Sequence, residues 1–116
     1  MKDSPLHIKS FEFALKIISI SKKLTQNGEY VLSKQLLRSG TAVGALIKEA
    51  EFAQSIPDYI HKFSIALKEA NETLYWLELL FKSSYLNSQD HQTEIDLNKE
   101  LISMLVSTIK TLKSKL

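Results

Sequence analysis

Along most of this chain the apolar positions recur at alternating gaps of three and four, the period of helices that bury one face. Four runs carry the pattern. The first has Ile8, Phe11, Leu15 and Ile18, and the second Leu32, Leu36, Ser39, Val43, Leu46, Ala50 and Ala53. The third has Ile60, Phe63, Leu67, Ala70, Leu74, Leu77 and Phe81, and the fourth Ile95, Asn98, Ile102, Leu105, Ile109, Leu112 and Leu116. No stretch alternates with period two, so no strand is expected.

Punctuation between the runs sets the expected bounds. The first helix spans about residues 7–25 and stops at Asn27-Gly28, where Gly28 is free to turn left-handed. The second spans about 30–54. The third starts at Ser55, where Ser55-Ile56-Pro57-Asp58 fits a capping box, and continues to about Ser84. The fourth spans about 89–115, with acids early and lysines late as the helix dipole prefers. Short connections make consecutive helices antiparallel neighbours. The expected fold is all-α: an antiparallel up-down-up-down four-helix bundle, one domain over residues 1–116.

The faces opposite these seams add a second layer. Phe13, Ile17, Ile20 and Leu24 form another apolar stripe on the first helix, and Ile65, Trp76 and Leu79 stand among Lys62, Glu69 and Glu72 on the third. Either other subunits cover these positions, or the helices are rotated and the residues widen one core. Large exposed apolar patches are rare in monomers, which favours a homo-oligomer. The expected interface is Phe13, Ile17, Ile20, Gly40, Gly44, Lys62, Ile65, Glu69, Glu72, Trp76 and Leu79. Gly40 and Gly44 cost a helix about 1 kcal/mol each against alanine, and their spacing of four lets another backbone approach closely. A phosphate-cradling loop is the rival there, but no strand precedes it and the GxxxxGK[ST] spacing is absent.

Composition narrows the function classes. The chain has 116 residues, is 44% hydrophobic and 24% charged, and carries a formal net charge of +2. These values fit a soluble globule with no strong overall field. The absence of cysteine removes disulfides and thiolate chemistry. No apolar run approaches the length of a membrane span, and no secretory signal is read at the N-terminus, so a cytoplasmic protein is expected.

Candidate chemistry is thin. Asp58-x-x-His61 and Glu69-x-x-Glu72 lie on one helix, whereas a di-iron bundle draws Glu-x-x-His from two helices and Glu from two more. No metal, no cofactor and no catalytic residue is expected. The positive clue is a lysine stripe, Lys2, Lys9, Lys16 and Lys23, recurring every seven residues. Repeated around an oligomer it concentrates positive charge. It marks Lys9, Lys16 and Lys23, with Lys34, Arg38 and Lys48, as candidate phosphate contacts; an ordinary solvated face explains the same lysines.

The segment Gln35-Leu36-Leu37-Arg38-Ser39-Gly40-Thr41-Ala42-Val43-Gly44-Ala45 resembles the signature of the 23S rRNA intervening-sequence protein family, the four helix bundle proteins. The similarity continues through Lys48-Glu49-Ala50, Asp58 to Ala70, and Glu72-Thr73-Leu74-Tyr75-Trp76-Leu77. The resemblance implies a small bacterial protein that assembles as a homopentamer and has no enzymatic activity. Some members are encoded within intervening sequences of large-subunit ribosomal RNA genes, and a similar group of retroelement accessory proteins binds RNA and a reverse transcriptase. By the same resemblance Arg38, Ser39, Gly40, Gly44, Glu49, Asp58, Lys62, Glu69, Glu72 and Trp76 are positions to watch. The expected function is an RNA-associated, non-enzymatic scaffold; the alternative is an adaptor that binds a partner protein without RNA.

Overall fold

The computed structural model describes residues 4–116 and contains four helices: α1 (Pro5–Gln26), α2 (Val31–Ala50), α3 (Ile56–Lys82) and α4 (Ser88–Lys113). No strand occurs among the described residues. Three helix starts are capped by side chains that accept otherwise unpaired amides. Ser4 Oγ accepts from the His7 amide at 3.3 Å, Ser55 Oγ from Asp58 at 3.2 Å and Asn87 Oδ1 from Asp90 at 2.7 Å. The capping box at α3 is closed by the Asp58 carboxylate, which accepts from the Gln54 amide at 3.1 Å. α2 ends at Ala50 and not near Gln54 as expected: the amides of Glu51, Phe52 and Ala53 bond three residues back, to Lys48, Glu49 and Ala50, and tighten the chain out of the α-helix before the α3 cap. Gly28 does adopt the left-handed turn, at φ 87°.

Contacts between neighbouring helices run in opposite register. Against α1, Gly44 of α2 meets Ser10, Gly40 meets Ile17 and Ser33 meets Ser21. Between α2 and α3, Lys62 reaches Glu49 and Arg38 reaches Glu72. Between α3 and α4, the Asn98 side-chain amide donates to the Ala70 carbonyl at 3.1 Å. α4 returns to α1 through Lys23–Asp90 and Lys9–Glu100, giving a body of about 47 × 22 × 20 Å.

The core follows the expected seams on three helices. Leu36, Val43 and Ala50 of α2 are buried, as are Phe63, Ala70 and Leu77 of α3 and Ile95, Leu105 and Ile109 of α4. On α1 the expectation is overturned. Leu6, Phe13, Ile17, Ile20 and Leu24 fill the core, and the run read as the seam faces out. Two stripes compete on this helix, and spacing alone does not choose between them. Small residues on α2 decide it. Ile17 sits on Gly40 and Ser10 on Gly44, while the Ser21 and Ser33 hydroxyls meet at 2.7 Å in the interior. Only one rotation of α1 satisfies all three contacts.

The assignment of Phe13, Ile17, Ile20 and Gly40 to a subunit interface is therefore corrected: all four are buried within one chain. A Cβ at Gly40 would stand 2.8 Å from both Ile17 Cγ atoms, and a β-branched side chain cannot swing aside. At Gly44 it would meet the Ser10 carbonyl at 3.4 Å, an ordinary contact. Gly40→Ala is expected to destabilise the chain by about 1–3 kcal/mol through overpacking. Gly44→Ala should leave stability unchanged or slightly raised, because alanine is the better helix former. Denaturant titration of the two variants checks this; equal losses would contradict the packing.

Candidate interaction surfaces

Once α1 is rotated into its core position, its other stripe is left uncovered. Ile8 is 51% exposed, Phe11 66%, Leu15 54% and Ile18 36%. These four lie at i, i+3, i+7 and i+10, so they form one ridge along the helix. A groove of about 720 Å³ runs beside the ridge between α1 and α2. Its walls include Ile8, Phe11, Ala14 and Ile18 from α1 and Gly44 and Ala45 from α2. The groove exists because Gly44 and Ala45 present almost no side chain there. Contiguous apolar surface of this kind marks interaction sites more often than bare solvent-facing surface.

The remaining expected interface residues sit on the opposite side of the molecule and are largely engaged within the chain. Arg38 Nη2 donates to Glu72 Oε2 at 2.6 Å, and Arg38 Nη1 stands 3.6 Å from Glu69 Oε1. Trp76 Nε1 donates to the same Glu72 oxygen at 3.0 Å. Beneath them the Thr73 hydroxyl donates to the Glu69 carbonyl at 2.7 Å and lies 2.9 Å from Ser39 Oγ. Lys62 pairs with Glu49 at 3.3 Å. Ile65 is half-buried and Leu79 exposed. This network ties α2 to α3. Its exposed ion pairs contribute little individually, whereas the buried Thr73–Ser39 pair fixes the register.

The same pairing changes the reading of the basic residues. Lys9 stands 3.2 Å from Glu100, Lys23 3.4 Å from Asp90 and Lys48 3.1 Å from Glu51. The hydrogen bond from Lys48 holds the Glu51 carboxyl below its usual range. Arg38 is committed to Glu69 and Glu72. Of the six candidate phosphate contacts, only Lys16 and Lys34 have no ion pair among the described residues. Lys2, the first lysine of the stripe, lies outside the described residues.

Two groups in the fold escaped the sequence reading. One is the exposure of the α1 ridge, whose residues were expected to face the core. The other is Glu94, fully buried on α4, with neither carboxylate oxygen hydrogen-bonded among the described residues. Desolvation pushes its carboxyl up to about 8, opposed in part by Lys16. The signal was present: Glu94, Asn98, Leu101 and Leu105 continue a four-three-four spacing, but an acid early in a helix reads as a dipole partner.

No three His, Asp or Glu side chains among the described residues are grouped to hold a metal ion. Asp58 serves the α3 cap, and Glu69 and Glu72 face Arg38. No helix among the described residues is long and apolar enough to cross a membrane.

Comparison with known proteins agrees with this architecture. No curated protein matches the chain. Among solved structures, the chain is similar to a protein of unknown function from the S23 ribosomal protein family of Bacteroides thetaiotaomicron VPI-5482. The two share 48% identity over 90% of this chain and 98% of that one, with a TM-score of 0.88. Residues 2–107 match the family described as 23S rRNA-intervening sequence protein. With nearly the whole chain matched, and the four helices formed where that resemblance places them, the chain belongs to the 23S rRNA-intervening sequence protein family.

Proposed function

We propose that this protein is a non-catalytic scaffold: an antiparallel up-down-up-down bundle that self-associates through α1. The observation that carries this reading is the exposed ridge of Ile8, Phe11, Leu15 and Ile18 lying directly beside an apolar groove. Ile8, Phe11 and Ile18 also wall the groove, so ridge and groove form one continuous apolar patch that further copies would cover. A contact between different parts of that patch on neighbouring copies is heterologous and closes into a ring when the rotation permits. A ring of five is the number that the family resemblance implies. Light scattering on a size-exclusion column tests the reading. A mass that is a multiple of 13.2 kDa supports it, and a monomer at every concentration refutes it.

RNA association is the second reading, favoured by the two uncommitted cations. Lys16 lies on α1 and Lys34 on α2, and assembly would repeat both in every subunit. Lys9, Lys23, Arg38 and Lys48 support it less, because each would first have to leave a carboxylate. The double variant Lys16→Glu/Lys34→Glu should weaken RNA binding and flatten its salt dependence, by about one unit of slope for each phosphate that is no longer neutralised. If filter binding shows the same affinity and slope, these lysines do not touch RNA and the weight moves to a protein partner.

A further inference from the structure

Ionised carboxylates are rarely left buried without a partner, because an unpaired buried charge is strongly destabilising. Glu94 is buried and unpartnered, yet it does not sit in a sealed core. It lines a second groove, of about 700 Å³, between α1 and α4. Leu15 and Leu97 line it together with Glu12, Asp96, Glu100 and Lys16, and Glu100 is paired with Lys9. The groove thus combines apolar walls, acidic side chains and one buried carboxyl that lacks a partner.

We propose that the α1–α4 groove is a binding site for a primary alkylammonium, its charged head against Glu94 and its methylene chain along Leu15 and Leu97. An ammonium carries three donors and no acceptor, which suits Glu94 in its ionised form, when both carboxylate oxygens accept. A divalent metal fits poorly, since no third ligand stands close enough among the described residues. The same chemistry has two sources: a free aliphatic amine, or a lysine side chain from a second copy of this chain.

Binding must ionise Glu94. The charges acting on it are Lys16 from α1 and Asp90 on α4 itself, and no charge from α3 acts on it among the described residues. Its carboxyl holds a proton up to about pH 8, so the ammonium displaces one proton at neutral pH. Affinity should therefore rise about tenfold from pH 6 to pH 7, as the ionised fraction does.

The test is calorimetric titration of n-butylamine into the intact protein at pH 7, in two buffers of different ionisation heat. One butylamine per chain, with release of about one proton, is expected, and n-butanol should not bind. Glu94→Gln should reduce the affinity at least tenfold while melting no lower than the parent, which separates lost binding from lost fold. Binding of butylamine without any change in assembly assigns the free amine as the source. Weakening of self-association at least tenfold in Glu94→Gln, with butylamine dissociating the parent assembly, assigns the lysine. Equal butylamine affinity in parent and variant overturns the proposal. So does absence of butylamine binding together with unchanged assembly of the variant. Butylamine binding needs no second copy, so this site can fail while the scaffold reading stands.

Discussion

Glu94→Gln is expected to stabilise the protein, and to do so increasingly as the pH rises. Burial raises the folded-state value of this carboxyl from 4.5 to about 8. Below pH 4.5 the folded and unfolded chains both hold the proton, and the parent keeps its full stability. Between pH 4.5 and 8 the unfolded chain releases a proton that the folded chain retains, so stability falls as the pH rises. Above 8 the folded chain ionises too and the loss levels off. The shift corresponds to about 3 kcal/mol at pH 7 and at most about 5 kcal/mol beyond pH 8. Glutamine has the same shape and no charge to bury, so it removes that slope. Denaturant titrations of parent and variant at pH 4, 7 and 8.5, at one protein concentration, should coincide at pH 4 and diverge upward. Parallel profiles would show that the carboxylate finds a partner in solution and is not buried alone.

The second large effect concerns the α1 ridge. Phe11→Glu with Leu15→Glu should reduce the particle to 13.2 kDa with its helix content unchanged. Both side chains are more than half exposed in one chain, so charge there does not disturb the protomer. Burial of a large apolar side chain contributes about 1.5–3 kcal/mol, and placing a carboxylate in the contact adds a desolvation penalty. Two such changes should weaken self-association by on the order of a thousandfold or more. Phe13→Glu is the contrast: Phe13 is fully buried, and an acid there should unfold the chain before assembly is at issue. Sedimentation read beside far-ultraviolet circular dichroism separates these cases. An unchanged mass for the Phe11/Leu15 variant would remove α1 from the contact.

Phe11 and Phe13 also mark how far the sequence was legible. The number and order of helices follow from the three-four spacing and from Gly28, Ser55 and Asn87, which act locally. The caps at Ser55 and Asn87 form as their side chains dictate. Rotation about a helix axis is not local. Both stripes of α1 have the same spacing and similar hydrophobicity, and the choice rests with Gly40, Gly44 and Ser33 on another helix. The glycines did announce a close approach, but not that its partner is Ile17 of the same chain. The lysine stripe was visible as well; its neutralisation by Glu100 and Asp90 depends on α4 lying against α1. Glu94 was missed because an acid early in a helix reads as a dipole partner, although its spacing to Asn98, Leu101 and Leu105 places it on the buried face.

Further copies of the same chain are expected to cover the exposed α1 ridge. A native mass spectrum of protein purified without nuclease treatment tests this most directly. A discrete species at two or more times 13.2 kDa is expected, with additional nucleotide mass if RNA is held as well. A single species at 13.2 kDa would contradict this, and would mean that Ile8, Phe11, Leu15 and Ile18 remain open to water.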